Sequence, residues 1–259
     1  MLKSIYPKLK YLTVVFVLVT GCLLFMYAVP AKNQVMAKPL AANLAPVSDS
    51  ASLKSGYDRF LSLYDQLNLD SLQLSHEAFT YGLRGYQQLV DQGAVKNQHI
   101  ISIVDFSLPS TKKRLFIIDL ESGKLLFNTL VSHGRNSGTD MATRFSNDLN
   151  SFKSSLGFFV TGNTYKGEHG YSLRLDGKEK GINDRAYSRA IVMHAADYVN
   201  DKVIQVKGYL GRSLGCPAVP PSEHKAIINT IKDGTCMFVY SPDSNYISSS
   251  PVLAQPFMG

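Results

Sequence analysis

The sequence predicts an α+β protein that is predominantly β, with an N-terminal helical hairpin. Three observations support this fold class. Apolar residues recur at helical spacing between residues 51 and 93, short β-type runs separated by turns follow, and one late helix interrupts these runs. The 259 residues, of which 45% are hydrophobic, are enough to bury a core, and three cysteines are too few for a disulfide scaffold. The composition excludes disordered, collagen-like and multi-pass membrane proteins.

Residues 1–37 are predicted to be a signal peptide or an N-terminal anchor. Three lysines precede an almost unbroken apolar run over residues 11–29. The preferred cleavage site is Val35-Met36-Ala37, with Val29-Pro30-Ala31 second. The run is also long enough to span a bilayer uncleaved, and Val19-Thr20-Gly21-Cys22 resembles a lipobox, against which the apolar residues after it argue. All three alternatives imply export of the remaining chain to the periplasm or cell envelope.

The net charge of +7 belongs largely to this N-terminal segment. Four of the 27 lysines and arginines lie in residues 1–37, which contain no acidic residue, so the remainder of the chain carries +3. We therefore expect no nucleic acid as a partner, whereas membrane contact through the N-terminal segment stays open.

Residues 38–50 lack periodicity and are predicted to be a linker. Residues 51–96 are predicted to form the helical hairpin. Its second helix runs from Ser75, the expected N-cap, to Val90 and ends before Gly93. The apolar face of its first helix comprises Leu53, Tyr57, Phe60, Leu61 and Tyr64. We expect a structural role for the hairpin.

Residues 97–242 are predicted to form the β-rich domain, with one helix over residues 222–232. The strand candidates are 100–106, 114–120, 125–131, 157–161, 171–175, 190–194, 203–206 and 235–240. Residues 243–259 contain serine and proline and are predicted to be a loose C-terminal tail.

The two cysteines beyond the N-terminal segment lie in different settings. Cys236 belongs to an apolar strand, where a cysteine is usually a small buried hydrophobe. Cys216 lies in a loop with two glycines and a proline, where a substrate could reach its thiol. Because Pro217 has no N–H, any backbone donors for an oxyanion must come from Cys216, Gly215 and Leu214.

A nucleophilic cysteine needs a base, because the thiolate is the reactive form. His194 ends an apolar strand, where a rigid backbone opens onto loops, and is the candidate general base. Its ring would need an orienting acceptor, either a backbone carbonyl such as that of Ser213 or a carboxylate such as that of Asp197.

The order of these residues resembles the signature of the L,D-transpeptidase (YkuD-type) catalytic domain. The resembling residues are His194 and, further on, Ser213-Leu214-Gly215-Cys216. Leu214 replaces the usual second histidine, Pro217-Ala218 replace an aliphatic-arginine pair, and Ala195 replaces a glycine, so the chain is more similar to a divergent branch with Ser-x-Gly-Cys-Pro-Ala. Further resembling segments lie at 132–135, 154–158 and 169–175, so the likeness covers roughly residues 97–242.

The resemblance implies a β-sandwich catalytic domain that transfers acyl groups on peptidoglycan stem peptides. In this family the cysteine, here Cys216, attacks the carbonyl after the L-centre of diaminopimelate in a tetrapeptide stem and expels D-alanine. Transfer of the thioester to the amine of a neighbouring stem gives a 3→3 cross-link, whereas transfer to water makes the enzyme an L,D-carboxypeptidase. The resemblance also implies that no metal or organic cofactor is needed and that carbapenems acylate the cysteine.

The resemblance further implies a role for each site residue. His194 would accept the thiol proton, the carbonyl of Ser213 would hold its ring, and the N–H groups of Gly215 and Cys216 would stabilise the oxyanion. Stem carboxylates need cationic or N–H partners. The candidate substrate-binding residues are Arg212, Arg174, His133 and His169.

Three alternatives remain open. Cys216 and Cys236 could form a disulfide, since an exported chain meets an oxidising compartment. Zinc could be held by His133, His169, His194 and Asp197, although their spacing does not match known zinc motifs. The protein could also be a non-catalytic envelope module that binds peptidoglycan, in which case Cys216 need not be a free, reactive thiol.

Overall fold

A computed structural model describes residues 59–254 of the chain. The predicted N-terminal segment, the linker and the beginning of the first predicted helix lie outside the described residues. Among the described residues, no helix is both long and apolar enough to cross a bilayer.

The two helical segments of the predicted hairpin are present. Helix α1 covers residues 59–66 in the described part of the chain, and α2 spans His76–Asp91. Ser75 caps α2, because its hydroxyl accepts a hydrogen bond from the N–H of Ala78 at 3.1 Å. The predicted cap is therefore confirmed, and α2 buries one face against the sheet described next. Its buried residues are Ala78, Phe79, Gly82, Leu83, Gly85, Tyr86 and Leu89.

Eight strands form one hydrogen-bonded sheet. They are β1 (Ile100–Asp105), β2 (Leu115–Asp119), β3 (Lys124–Thr129), β4 (Gly157–Gly167), β5 (Gly170–Gly177), β6 (Val192–Ala195), β7 (Ala218–Val219) and β8 (Cys236–Tyr240). Their order across the sheet is β3-β2-β1-β8-β4-β5-β6-β7. The pairs β1–β8 and β6–β7 are parallel and the others are antiparallel. A predominantly β, α+β fold, as the sequence predicts, is confirmed.

The predicted strand over residues 203–206 is wrong, because this segment lies in helix α3 (Asp201–Lys207). The side chain of Asn200 caps the helix by accepting from the N–H of Val203 at 2.9 Å. Gly208, at φ +77°, ends it in the left-handed conformation that glycine favours. The two end signals override the β-propensity of the short apolar run between them.

The late helix is confirmed as α4 (His224–Ile231), but the prediction of a loose tail is wrong over the described part of it. Helix α5 (Ser244–Ser249) follows β8, and Tyr246, Val252 and Leu253 are buried. The hydroxyl of Tyr246 donates to Glu179 at 3.2 Å, and the hydroxyl of Ser250 donates to the same carboxylate. The tail is therefore packed by its buried apolar side chains and by two hydrogen bonds to a buried carboxylate, which needs such donors.

The loop that carries Cys216 is held from two sides. On one side β7 pairs with β6, which places Ala218 opposite His194. On the other, the N–H of Ser213 donates to the backbone carbonyl of His133 at 3.0 Å, and the carbonyl of Ser213 accepts from the backbone N–H of Arg135 at 2.8 Å. Backbone bonds on both flanks fix the position of the loop relative to the end of β6.

Candidate active site

Cys216 is a half-buried free thiol held against the segment that leads into β6. Its Sγ donates to the carbonyl of Ala190 and accepts from the N–H of Val192, each at 3.5 Å. Cys236 is also free and is fully buried in β8. The structure therefore contradicts the alternative of a disulfide between these two cysteines and leaves Cys216 as the accessible one.

The backbone on both sides of the thiol adopts the left-handed region. Ala190 has φ +53°, which is uncommon for a residue with a Cβ, and Gly215 has φ +127°. A Cβ on Gly215 would lie 2.8 Å from the carbonyl oxygen of Lys153 and 3.0 Å from Ile191. Gly215 is therefore required by close packing as well as by conformation, and such strain often marks a functional site.

His194 is almost fully buried at the end of β6. Its Nδ1 lies 2.8 Å from the carbonyl oxygen of Ala195, so Nδ1–H donates there and Nε2 is left as the proton acceptor. Burial lowers the pKa of His194, and the nearby His169 lowers it further, so the ring is neutral at neutral pH.

The expected orienting groups do not hold this ring. The carbonyl of Ser213 accepts the N–H of Arg135, and Ala195 supplies the carbonyl that bonds His194. Among residues 59–254 no hydrogen bond joins Asp197 to His194, and none joins His194 to the Cys216 thiol. Catalytic hydrogen bonds are often long in the unliganded state and tighten with substrate.

Ser213 fastens the loop instead. Its hydroxyl donates to the carbonyl of Cys216 at 2.6 Å and accepts from the N–H of Gly215 at 3.0 Å. The N–H of Gly215, an expected oxyanion donor, is thus already engaged. Within the described part of the chain, the N–H groups of Leu214 and Cys216 have no acceptor, so these two are the donors available to an oxyanion.

His133 does not fit the predicted role in substrate contact. It is fully buried; its Nδ1 accepts from Arg114 at 2.7 Å, and its Nε2–H donates to the carbonyl of Gly138 at 3.3 Å. Burial, helped by the charge of Arg114, lowers the pKa of His133 to about 4. Both ring nitrogens of His133 are therefore occupied. Its backbone carbonyl accepts from the N–H of Ser213, so His133 helps to hold the loop that carries Cys216.

Arg212 and His169 are close to the site in different ways. Nη1 of Arg212 donates to the carbonyls of Gly138 at 3.0 Å and Arg135 at 3.3 Å, which ties this half-buried side chain to the 135–138 loop. His169 is exposed at the turn between β4 and β5, and its ring stacks on that of His194 with centroids 4.2 Å apart. It therefore covers one face of the candidate base.

Arg174, an exposed residue on β5, packs against two aromatic rings. Its guanidinium carbon is 4.5 Å from the ring centre of Tyr165 and 5.2 Å from that of Tyr187. These three side chains line a pocket of about 140 Å³. The remaining lining residues are Leu175, Ala190, Ile191 and Val192.

Arg189 is a functional candidate that the sequence reasoning missed. Its Nη2 donates to the carbonyl of Lys153 at 2.6 Å and the hydroxyl of Ser151 at 3.2 Å, and it lies 3.4 Å from where a Cβ on Gly215 would be. Burial raises the pKa of the Cys216 thiol, and the charge of Arg189 opposes this increase. The available signal was a basic residue directly before the apolar strand that ends in His194.

Among the described residues, no cluster of three or more His, Cys, Asp or Glu side chains could hold a metal ion. The proposed zinc set is not assembled there, since His133 is engaged with Arg114 and Gly138.

Comparisons with known proteins identify the family of the chain. The family model described as L,D-transpeptidase catalytic domain matches residues 70–240. None of the curated proteins matches the chain.

Three of the similar solved structures cover 55–56% of this chain. The L,D-transpeptidase from Mycobacterium smegmatis is 13% identical, with 59% of that protein covered and a TM-score of 0.34. The transpeptidase LdtMt1 in complex with imipenem is 14% identical, with 59% covered and a TM-score of 0.34. The helical cell shape determining protein Pgp2 from Campylobacter jejuni is 14% identical, with 48% covered and a TM-score of 0.36. The chain thus spans less than two thirds of each of these proteins.

The family match covers more than half of the chain and includes both β6 with His194 and the loop with Cys216. The predicted L,D-transpeptidase-like fold is confirmed, and the chain belongs to the L,D-transpeptidase catalytic domain family.

Proposed function

We propose that the protein is an exported cysteine acyltransferase that remodels peptidoglycan as an L,D-transpeptidase. The observation that carries this proposal is the position of the free Cys216 thiol. Its sulfur is bonded by the backbone N–H of Val192, two residues before the buried, neutral His194. Export is supported by the basic and apolar pattern of residues 1–37, through which the chain could also contact the membrane.

The free protein holds its nucleophile and base as a neutral pair. Burial raises the pKa of Cys216 and lowers the pKa of His194, so both effects oppose an imidazolium–thiolate pair at rest. His194 therefore acts as a general base that removes the thiol proton during attack.

The reaction then proceeds in two acyl transfers. The sulfur of Cys216 forms a bond to the carbonyl carbon after the L-centre of diaminopimelate, and His194 takes the thiol proton at Nε2. When the C–N bond to D-alanine breaks, His194 returns the proton to the leaving amine, and a thioester remains. An acceptor amine attacks this thioester, loses its proton to His194 and releases the thiol, which gives the 3→3 cross-link.

The tetrahedral intermediates need donors for their negative oxygen. The N–H groups of Cys216 and Leu214 fill this role, and the hydroxyl of Ser213 keeps the loop in shape by bonding Gly215 and the carbonyl of Cys216. Contacts to the stem come from Arg174 in the pocket beside Ala190 and Val192, from Arg212 next to the Cys216 loop, and from His169, which stacks on His194.

Product analysis by mass spectrometry tests the proposal. The full chain is incubated with disaccharide-tetrapeptide, beside Cys216→Ala and the matched control Cys236→Ala. We expect dimers linked between diaminopimelates from the wild type and from Cys236→Ala, and none from Cys216→Ala.

Other products would change the conclusion. Tripeptide monomers alone would make the protein an L,D-carboxypeptidase, in which water replaces the amine. No product from any form would favour a non-catalytic module that binds the envelope. Acylation of Cys216 by a carbapenem, seen as a mass increase on its peptide, is expected in either enzymatic case.

A further inference from the structure

Arg174 is exposed and presents its guanidinium donors to solvent. The guanidinium carbon lies over the rings of Tyr165 and Tyr187, 4.5 and 5.2 Å from their centres, so the group packs against aromatic surface. Within residues 59–254 its N–H groups have no hydrogen-bond acceptor and no carboxylate partner. Arg189 and Arg212 differ, because their donors are bonded to backbone carbonyls.

The position of Arg174 links this edge to the nucleophile. On the sheet, Arg174 pairs directly with Val192 on the adjacent strand, and the N–H of Val192 bonds the Cys216 sulfur. Ala190, whose carbonyl accepts from the same sulfur, lines the pocket together with Arg174. A group bound in this pocket therefore lies against Ala190 and Val192, the two residues whose backbone groups bond the Cys216 sulfur.

The pocket has the size and the chemistry for a small anion-bearing group. Its volume of about 140 Å³ is well above the roughly 10–15 Å³ that admits one water molecule. A planar guanidinium packed against aromatic rings presents a rigid fork of N–H donors, and this fork matches the two oxygens of a carboxylate.

We propose that Arg174, fixed by Tyr165 and Tyr187, forms a subsite that binds a carboxylate of the donor stem next to the scissile bond. This inference rests on the proposed function. Two carboxylates lie on the residues that the scissile bond joins: that of the terminal D-alanine, which leaves, and that of the D-centre of diaminopimelate, which stays.

Kinetics of the full chain with three donors test the subsite. The donors are the free tetrapeptide, its C-terminal carboxamide, and the tetrapeptide with the diaminopimelate carboxyl amidated. In the wild type, kcat/KM is expected to fall about 10- to 100-fold for the one amide that removes the bound carboxylate, the range that a charge-assisted bidentate contact supports. In Arg174→Gln the free acid and that amide should react equally, and Arg174→Lys should restore part of the preference. The identity of the sensitive amide reports which carboxylate is bound.

Arg185→Gln is the matched control, because it removes an exposed arginine paired only loosely with Asp148 at 4.0 Å. It should keep the wild-type preference. Equal kcat/KM for all three donors in the wild type, or an equal loss on all three donors in Arg174→Gln, would overturn the subsite while leaving the acyl transfer intact.

Binding to Cys216→Ala separates this inference from the proposed function. Calorimetric titration with the same peptides should show tighter binding of the free acid than of one amide, and the added Arg174→Gln change should remove the difference. If that preference holds while the wild type makes no product, the subsite stands and the proposed reaction fails. Equal binding of acid and amides overturns the subsite whether or not turnover occurs.

Discussion

Opposing interactions act on the pKa of the Cys216 thiol. Burial raises the pKa, whereas the N–H of Val192 and the charge of Arg189 stabilise the thiolate. The guanidinium of Arg189 is bonded to neutral acceptors, two of them the carbonyls of Ser146 and Lys153. Its charge is therefore free to act on the sulfur when the proton leaves.

Replacing Arg189 by methionine removes this charge and keeps most of the side-chain volume. We expect the pKa of the Cys216 thiol to rise further, so that alkylation by iodoacetamide at neutral pH slows several-fold, because only the thiolate reacts. Peptide-resolved mass spectrometry across a pH series measures the labelling rate at Cys216 in the full chain.

Two controls accompany this experiment. Cys236 is fully buried, so its labelling reports unfolding, and Arg185→Met removes an exposed cation from the same segment. An unchanged pH profile for Arg189→Met, with Cys236 still protected, would show that Arg189 does not stabilise the thiolate.

The buried His133 makes the free energy of unfolding depend on pH. Its pKa is lowered to about 4 in the folded state, so between about pH 6.5 and 4 the unfolded chain binds a proton that the native state does not. Stability is therefore lost as the pH falls through this range, by about 3 kcal/mol at this site. His133→Asn should flatten the acid limb of the free energy of unfolding, measured by urea titration, whereas His76→Asn, at an exposed histidine, should not.

At the scale of elements, helix α2 depends on a close approach to the sheet. A Cβ on Gly85 would lie 2.0 Å from Cζ of Phe158, and that ring is fully buried and stacked on Phe238 with centroids 4.2 Å apart. We expect Gly85→Ala to destabilise the protein by about 1–3 kcal/mol in spite of the better helix propensity of alanine. Gly82→Ala on the same helix meets Ile103 only at 3.2 Å, so a loss as large as that of Gly85→Ala would contradict this packing argument.

Helix α5 is held by the buried Glu179. Besides Tyr246 and Ser250, the N–H of Phe158 donates to this carboxylate at 2.6 Å. Removing the hydroxyl in Tyr246→Phe should cost about 1–2 kcal/mol, and removing the ring in Tyr246→Ala about 3–5 kcal/mol. Urea unfolding measures both losses. Tyr187→Phe, at a tyrosine that is 71% exposed, should change little, and an equally small effect of Tyr246→Ala would mean that α5 does not contribute to the core.

The elements themselves show what sequence could and could not predict. The continuous apolar runs of β1, β2 and β8 identify buried strands, and Ser75 marks the start of α2. The two-residue strand β7 is too short for its pattern to be recognised. Val203 and Val206 favour a strand, so the sequence did not indicate helix α3. Packing of the tail could not be predicted, because it depends on Glu179, about 70 residues away in the chain.

The sequence likewise predicts some residues of the candidate site and not others. Cys216 and His194 could be found because a thiol in a glycine-rich loop and a histidine at a strand end are local patterns. The carbonyl of Ala195 as partner of His194, the burial of His133 and the place of Arg189 are set by tertiary contacts that have no local signature.

At the scale of the whole molecule, the family match extends beyond the β-rich part of the chain. It begins at residue 70, before α2, and ends with β8 at residue 240. Helix α2 packs on the same core as the strands that carry the site. The predicted division between a hairpin over 51–96 and a catalytic domain over 97–242 therefore runs through one shared hydrophobic core.

The proposed reaction requires that a stem peptide acylates Cys216. The most direct test is the intact mass of the full chain after acid quenching of a reaction with tetrapeptide donor, followed by peptide mapping. We expect an added tripeptide-acyl mass on the peptide that contains Cys216, absent from Cys216→Ala and reduced in His194→Ala. An acyl group on another residue, or product formed without any adduct in a Cys216→Ala protein, would contradict it.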